Sequence, residues 1–269
     1  MDTIPRMSDR PLEQPQDVKR KWFSWKVFSI LLVASAVVSL MALPYTLIQL
    51  KYPASSIALL TVAQTAEFVV ISAIAIIIGL RLGGPIGLGV PMLRDWLAGD
   101  PAAPRQFRTA LPWAIGLGVL AALVITGMVD FLGPLVGLRA QQSSSVHLPV
   151  WQVFLESLYA PINEELWFRL GIMTLLAWLG TRLFRRQKPS TVIAWIAIIL
   201  SALLFGAYHL PLYSSITLGA IVLATLYNGA AGVIFGWLYW RKGLLLAMVA
   251  HFCADITLHI ILPALGLVR

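Results

Sequence analysis

Charge is scarce in this chain. Asp, Glu, Lys and Arg make up 12% of its 269 residues and hydrophobic residues 59%, where a soluble globular protein carries roughly a quarter charged. So little charge does not solvate a water-soluble surface. Cysteine is nearly absent as well: the single Cys253 excludes an internal disulfide or a cysteine-based metal cluster, and its place in an apolar run makes it packing material. There are no segments of about ten residues alternating polar with apolar, as a membrane β-barrel requires. The Gly-rich stretch at 83–91 (GGPIGLGVP) has no Gly-Lys-Ser/Thr after it and no strand before it, so it is not a phosphate loop but a connection, with a re-entrant turn as one form. Neither an internal repeat nor a second domain is visible.

Long apolar runs take up the space. Mean hydropathy is +0.82, concentrated in runs of about 20 residues, the length that crosses a bilayer as a helix. The expectation is an all-α, polytopic transmembrane bundle of about seven to eight spans. Seven are placed at 27–50, 56–80, 110–132, 151–183, 191–210, 216–240 and 244–262. Residues 1–26 are polar, with Pro5, Pro11, Pro15 and the basic cluster Lys19, Arg20, Lys21 and Lys26, and read as a cytoplasmic tail. The polar lead is too long for a cleaved signal peptide, and Trp22 and Trp25 suit the interface that follows. Residues 27–269 form the transmembrane domain. The net charge of +8 falls in short loops, where topology and anionic headgroups account for it and nucleic acid is not implied. Alternation of the basic loops places the N-terminus inside, and the expectation is a multi-pass integral protein of a bacterial cell membrane.

Polar residues inside the apolar runs are therefore conspicuous. Intramembrane ionisable groups are costly and by default mark a site. The run 151–183 holds Asn163, Glu164, Glu165 and Arg169 and is interrupted by Pro161. A proline does not continue a helix reaching it from the N-terminal side and Asn is a good N-cap, so a break is expected at 160–162 with a spanning helix from Glu164. Residues i and i+4 share a helix face. Glu165 can therefore pair with Arg169 while Glu164 points elsewhere, a carboxylate free to act as general base for water. Phe205 and His209 repeat the spacing, and so do His251 and Asp255, with His259 one turn on. Two histidines, a free glutamate and an aspartate on separate spans read as one joint site. His147, in a loop, and His259, at a boundary, read as incidental, as does Ser143–Ser145 in a linker. Gln64 and Glu67, mid-span, read as an interhelical contact or a support for the site. Gly232 and Gly236 have the spacing of close helix contact.

The order Glu-Glu-x-x-x-Arg, Phe-x-x-x-His, His-x-x-x-Asp on successive spans resembles the CPBP (Abi) family of intramembrane proteases, which includes the type II CAAX prenyl proteases and bacteriocin-processing proteins. The resemblance covers about 151–262, the protease-like core. It implies that Glu164 activates the hydrolytic water with His209 binding or orienting it. His251 and Asp255 would stabilise the oxyanion, while Glu165, Arg169 and Phe205 support the arrangement. Asp255 departs from the asparagine of the eukaryotic members. An ionised carboxylate repels an oxyanion, so Asp255 is neutral, binds a cation or orients His251. Glu164, His209, His251 and Asp255 offer the nitrogen and oxygen ligands that Zn²⁺ or another divalent metal takes; metal-free glutamate chemistry stands beside that reading on equal terms.

The resulting expectation is an intramembrane endopeptidase that cleaves a membrane-associated peptide or protein within the lipid bilayer. A non-catalytic immunity or scaffold protein, with the same polar core used for packing, is the alternative. A transporter with a proton path through Glu67, Glu164 and His209 is disfavoured, because the paired repeats of transporters are missing. Motifs of other hydrolases are missing too: His-Glu-x-x-His, Gly-x-Ser-x-Gly and Gly-x-Gly-Asp.

Overall fold

The computed structural model describes residues 23–134, 149–210 and 217–267. The expectations for 1–22, for Ser143–Ser145 and for His147 lie outside these residues. Helix α1 runs over Trp25–Gln49, α2 over Ala54–Ile78, α3 over Pro91–Leu97 and α4 over Ala102–Leu132. Helix α5 (Val150–Glu164) passes without interruption into a π-helical segment, Glu165–Met173, and then into α6 (Thr174–Leu183). Helices α7 (Thr191–Tyr208), α8 (Leu218–Lys242) and α9 (Leu244–Ile256) follow. No strand occurs among the described residues, as a bilayer demands of backbone that must pair its polar groups within each segment.

Local chemistry explains the ends. Ser24, Ser190 and Thr217 sit in extended conformation, and their hydroxyls accept from the N–H of Val27, Ile193 and Ala220 at 3.4, 3.3 and 3.1 Å, standard N-caps. Helix α8 closes with Arg241 and Lys242 in its last turn and Gly243 at φ +94°, a cation-rich end with the backbone freedom that glycine supplies. Helix α2 is prolonged through Gly79–Gly83 and Gly84–Ile86, and only residues 87–90 remain before α3. Four residues do not cross a membrane, so the Gly-rich stretch is a turn. Its Gly89 N–H donates to the Tyr239 hydroxyl at 2.9 Å, docking the turn on the end of α8.

Among the described residues six helices are long and apolar enough to cross a membrane: Trp25–Gln49, Ala54–Ile86, Ala102–Leu132, Thr191–Tyr208, Leu218–Lys242 and Leu244–Ala264. Their outward faces carry large apolar side chains such as Leu59, Val62, Trp113, Phe131 and Val192, which suits lipid rather than water. The rod 150–183, expected as a further span, is not among the six. Glu164, Glu165 and Arg169 lie in it, and all are buried in the bundle.

The expected break at 160–162 does not occur: Pro161 lies inside α5, and Asn163 is buried mid-helix, not a cap. A proline forfeits one hydrogen bond, whereas a break would expose several backbone groups to an environment without water. The irregularity comes later, as the wide π turns. Two hydroxyls serve carbonyls there: Thr174 donates to the Arg169 carbonyl at 3.1 Å and Ser201 to that of Phe168 at 2.7 Å. Such segments are rare and cluster at functional sites.

Small residues bring the helices around this segment. At Gly206 a Cβ would lie 2.7 Å from Thr225 Cα, and at Gly232 it would lie 3.0 Å from Ala202 Cβ, so α7 and α8 touch backbone to backbone. Gly118 on α4 performs the same service for α9, since a Cβ there would fall 2.2 Å from the Ala250 carbonyl oxygen, one residue before His251. Gly118→Ala is accordingly expected to lower stability by about 1–3 kcal/mol, the range for overpacking, read as the thermal midpoint of the detergent-solubilised protein.

Candidate active site

The π segment packs against α2, α7, α8 and α9, so its side chains point into protein on several sides. Glu165 is fully buried and its Oε1 is the hub. Arg169 Nη1 lies 3.2 Å away along the same rod, and His251 Nδ1, from α9, lies 2.9 Å away. The Arg169 guanidinium also donates to the Gly232 carbonyl at 3.3 Å and lies over the rings of Phe205 and Phe235 at 4.4 and 5.5 Å. A buried cation is tolerable only when its donors are met by a carboxylate, a carbonyl and aromatic faces. Phe235 in turn stacks on the His251 imidazole, with centroids 4.6 Å apart and planes at 18°. His251 is thus held on one edge by a carboxylate and on one face by a ring.

With Nδ1 donating to Glu165, Nε2 is the imidazole atom left to act. It faces Glu164 Oε2 at 3.8 Å and Asp255 Oδ1 at 3.8 Å. Glu164 is buried, and its Oε2 has no hydrogen-bond partner. Asp255 is partly exposed, one turn beyond His251. The two carboxylates of the Glu-Glu pair therefore meet opposite nitrogens of one imidazole.

His209 reaches the group through aromatic contacts. It ends α7, where its Nδ1 lies 2.9 Å from the Phe205 carbonyl, one of the terminal carbonyls that a helix leaves unpaired. The Phe205 ring is 4.9 Å from His209 and 5.8 Å from His251, edge-on to both. Glu164, Glu165, Arg169, Phe205, His251 and Asp255 thus lie around one aromatic-walled point, and His209 adjoins it across the Phe205 ring. Glu67 and Asp130 are exposed on α2 and α4, and His259 is exposed beyond α9.

Zinc takes nitrogen and oxygen donors of these kinds, but among the described residues no group of three or more His, Cys, Asp and Glu is placed to hold a metal ion. The 3.8 Å separations from His251 Nε2 also exceed the edge of about 3.3 Å between ligands in a tetrahedron of ~2.0 Å zinc bonds. As arranged, the donors do not fit a metal.

Sequence reasoning missed Phe235 and the backbone role of Gly232. The spacing of Gly232 and Gly236 signalled a close approach, not that the exposed carbonyl would serve an arginine. It also missed the partners of Asn163 and Trp167. Ser35 and Ser39, one turn apart in an apolar span, were the available signal.

Comparison with known proteins agrees with the site's position in the chain. A family profile, type II CAAX prenyl endopeptidase Rce1-like, matches residues 146–257, the stretch from just before α5 to the end of α9. No curated protein and no solved structure gives a match. The matched segment takes in Glu164, Glu165, Arg169, Phe205, His209, His251 and Asp255 and leaves out α1 to α4. Residues 146–257, and with them the whole candidate site, are thus similar to the Rce1-like type II CAAX prenyl endopeptidases.

Proposed function

We propose that this protein is an intramembrane endopeptidase that hydrolyses a peptide bond in a membrane-associated substrate, with Glu164 as the general base. The observation that carries the reading is the pairing of a buried carboxylate oxygen lacking any hydrogen-bond partner, Glu164 Oε2, with His251 Nε2 at 3.8 Å. That distance is too long for a direct hydrogen bond and suits a water bonded to both atoms. Glu164 would take the proton of that water as its oxygen attacks the scissile carbonyl, then pass it to the departing amine. His251 presents Nε2 to the same point, its ring fixed by Glu165 and Phe235.

Asp255 has the role of orienting His251 from the Nε2 side, and His209 that of holding water or substrate through its own Nε2. Arg169 holds the Glu165 carboxylate in place. The donor arrangement supports a metal-free course, and no step here passes through a metal. The substrate class is a membrane-associated peptide, with lipidation left out of the proposal.

Mass spectrometry of peptide termini in membranes from cells carrying either the wild type or Glu164→Gln, at matched expression, tests the reading. A terminus present with the wild type and lost with the variant is the expected result. Identical termini, together with rescue of a deletion phenotype by the variant, would overturn catalysis in favour of a scaffold or immunity role.

A further inference from the structure

The face of the α5 rod opposite the catalytic one carries an enclosed polar cluster. Asn163 Nδ2 donates to the Ser39 hydroxyl at 3.1 Å, and its Oδ1 accepts from the Ser35 hydroxyl. The hydroxyls of Ser35 and Ser72 lie 2.8 Å apart, Trp167 Nε1 donates to Ser72 Oγ at 2.8 Å, and Ser39 donates to the Ser35 carbonyl at 2.8 Å. Ser35, Ser39, Ser72 and Asn163 are each 0% exposed, so no solvent stands in for a missing partner. Hydroxyl protons rotate to suit their surroundings, and every donor has an acceptor within the cluster: Trp167 gives to Ser72, Ser35 to Ser72 or to Asn163 Oδ1, Ser72 to Asn163 Oδ1 at 3.5 Å, Asn163 to Ser39, and Ser39 to the Ser35 carbonyl.

Two features separate this cluster from ordinary interhelical packing. It grips residues 163 and 167, which share a face and bracket Glu164 and Glu165, at the point where α-helix becomes π-helix. Its serines come from α1 and α2, outside the segment matched by the family.

We infer that Ser35, Ser39 and Ser72 are positioning residues that set the rotation of the catalytic rod through Asn163 and Trp167, so that Glu164 meets His251. The inference rests on the role proposed for Glu164. A turn of about 10° about the helix axis moves a carboxylate ~6 Å off that axis by about 1 Å. A misplacement of that size costs on the order of 100-fold in rate.

The test compares Ser35→Ala and the triple variant Ser35→Ala/Ser72→Ala/Asn163→Leu with the full-length wild type in detergent. The substrate is a synthetic peptide spanning the terminus that depends on Glu164. Both variants are expected to lose on the order of 10- to 100-fold in kcat with KM within about twofold. Ser35→Ala removes the nearer donor to Asn163 Oδ1, leaving only the Ser72 hydroxyl at 3.5 Å, and lowers the thermal midpoint. The triple variant removes the amide of Asn163 together with its donors but takes the acceptor from Trp167 Nε1, so it is expected to recover only part of that midpoint, without recovering kcat. A triple variant with wild-type kcat, or a Ser35→Ala that loses stability alone, would reduce the cluster to packing.

Hydrogen exchange of the same proteins separates the two ideas. If no terminus responds to Glu164→Gln, the proteolytic reading fails by itself, and the positioning inference is judged on exchange. Peptides covering 160–170 are then expected to exchange on the order of tenfold faster in Ser35→Ala while those of α7 are unchanged. Equal exchange in 160–170 would overturn the inference.

Discussion

Glu164→Gln is expected to abolish measurable peptide cleavage while the protein still folds. The substitution keeps the shape of the side chain and removes its ability to take a proton, a change that costs about 10²- to 10⁴-fold in kcat for a general base. Stability is expected to hold, because Glu164 Oε2 has no hydrogen-bond partner to lose and a neutral amide is easier to bury than a carboxylate. The measurement is a single-turnover assay on detergent-solubilised enzyme, with the thermal midpoint taken on the same sample. A variant that keeps more than about a tenth of the wild-type rate would remove Glu164 from the base role. The wild-type assay after dialysis against a chelator is expected to give an unchanged rate. A rate lost on dialysis and restored by zinc would put a metal where the present reading puts a carboxylate and a water.

Arg169→Ala has the largest expected effect on stability. It removes the cation paired with the fully buried Glu165 carboxylate, leaving His251 Nδ1 as the partner of that carboxylate, and takes the guanidinium from the Gly232 carbonyl and from the rings of Phe205 and Phe235. Breaking one half of a buried ion pair costs about 3–5 kcal/mol, enough to unfold many membrane bundles of marginal stability. Adding Glu165→Gln to the variant removes the buried charge and keeps an oxygen for His251 Nδ1. The double variant is therefore expected to regain much of the lost thermal midpoint without regaining activity. Double-mutant analysis of these midpoints reads the coupling directly; additive losses would show that Glu165 and Arg169 act separately.

Much of this arrangement is visible in the residues alone, and the reasons for the gaps are instructive. The i,i+4 spacing of Glu165 and Arg169 survives the change from α- to π-helix, and their side chains meet at 3.2 Å. The spacing of His251 and Asp255 likewise puts both on one side of α9, at 3.8 Å. Pro161 misleads because the rule that proline ends a helix is weighed against water, and there is none to receive the freed groups here. Asn163 misleads for a related reason: its cap preference describes a side chain competing for backbone in solvent, whereas buried serines of α1 meet its amide. Phe235 carries no signal of its own. An aromatic in an apolar span is unremarkable until a histidine from another helix is laid on it.

The sequence by itself determined the class of the fold, the long apolar helices other than the rod 150–183, and which polar residues lie inside the apolar runs. Hydropathy and helical periodicity are local quantities, read within one segment at a time. Only the tertiary structure decided which groups face one another: both nitrogens of His251 between Glu165 and Glu164, the guanidinium of Arg169 on the Gly232 carbonyl, and Asn163 and Trp167 on the serines of α1 and α2. Those contacts join residues far apart in the chain. They depend on how closely backbones approach at Gly118, Gly206 and Gly232, and complementarity of shape between helices is a property of the packed bundle, absent from any single helix.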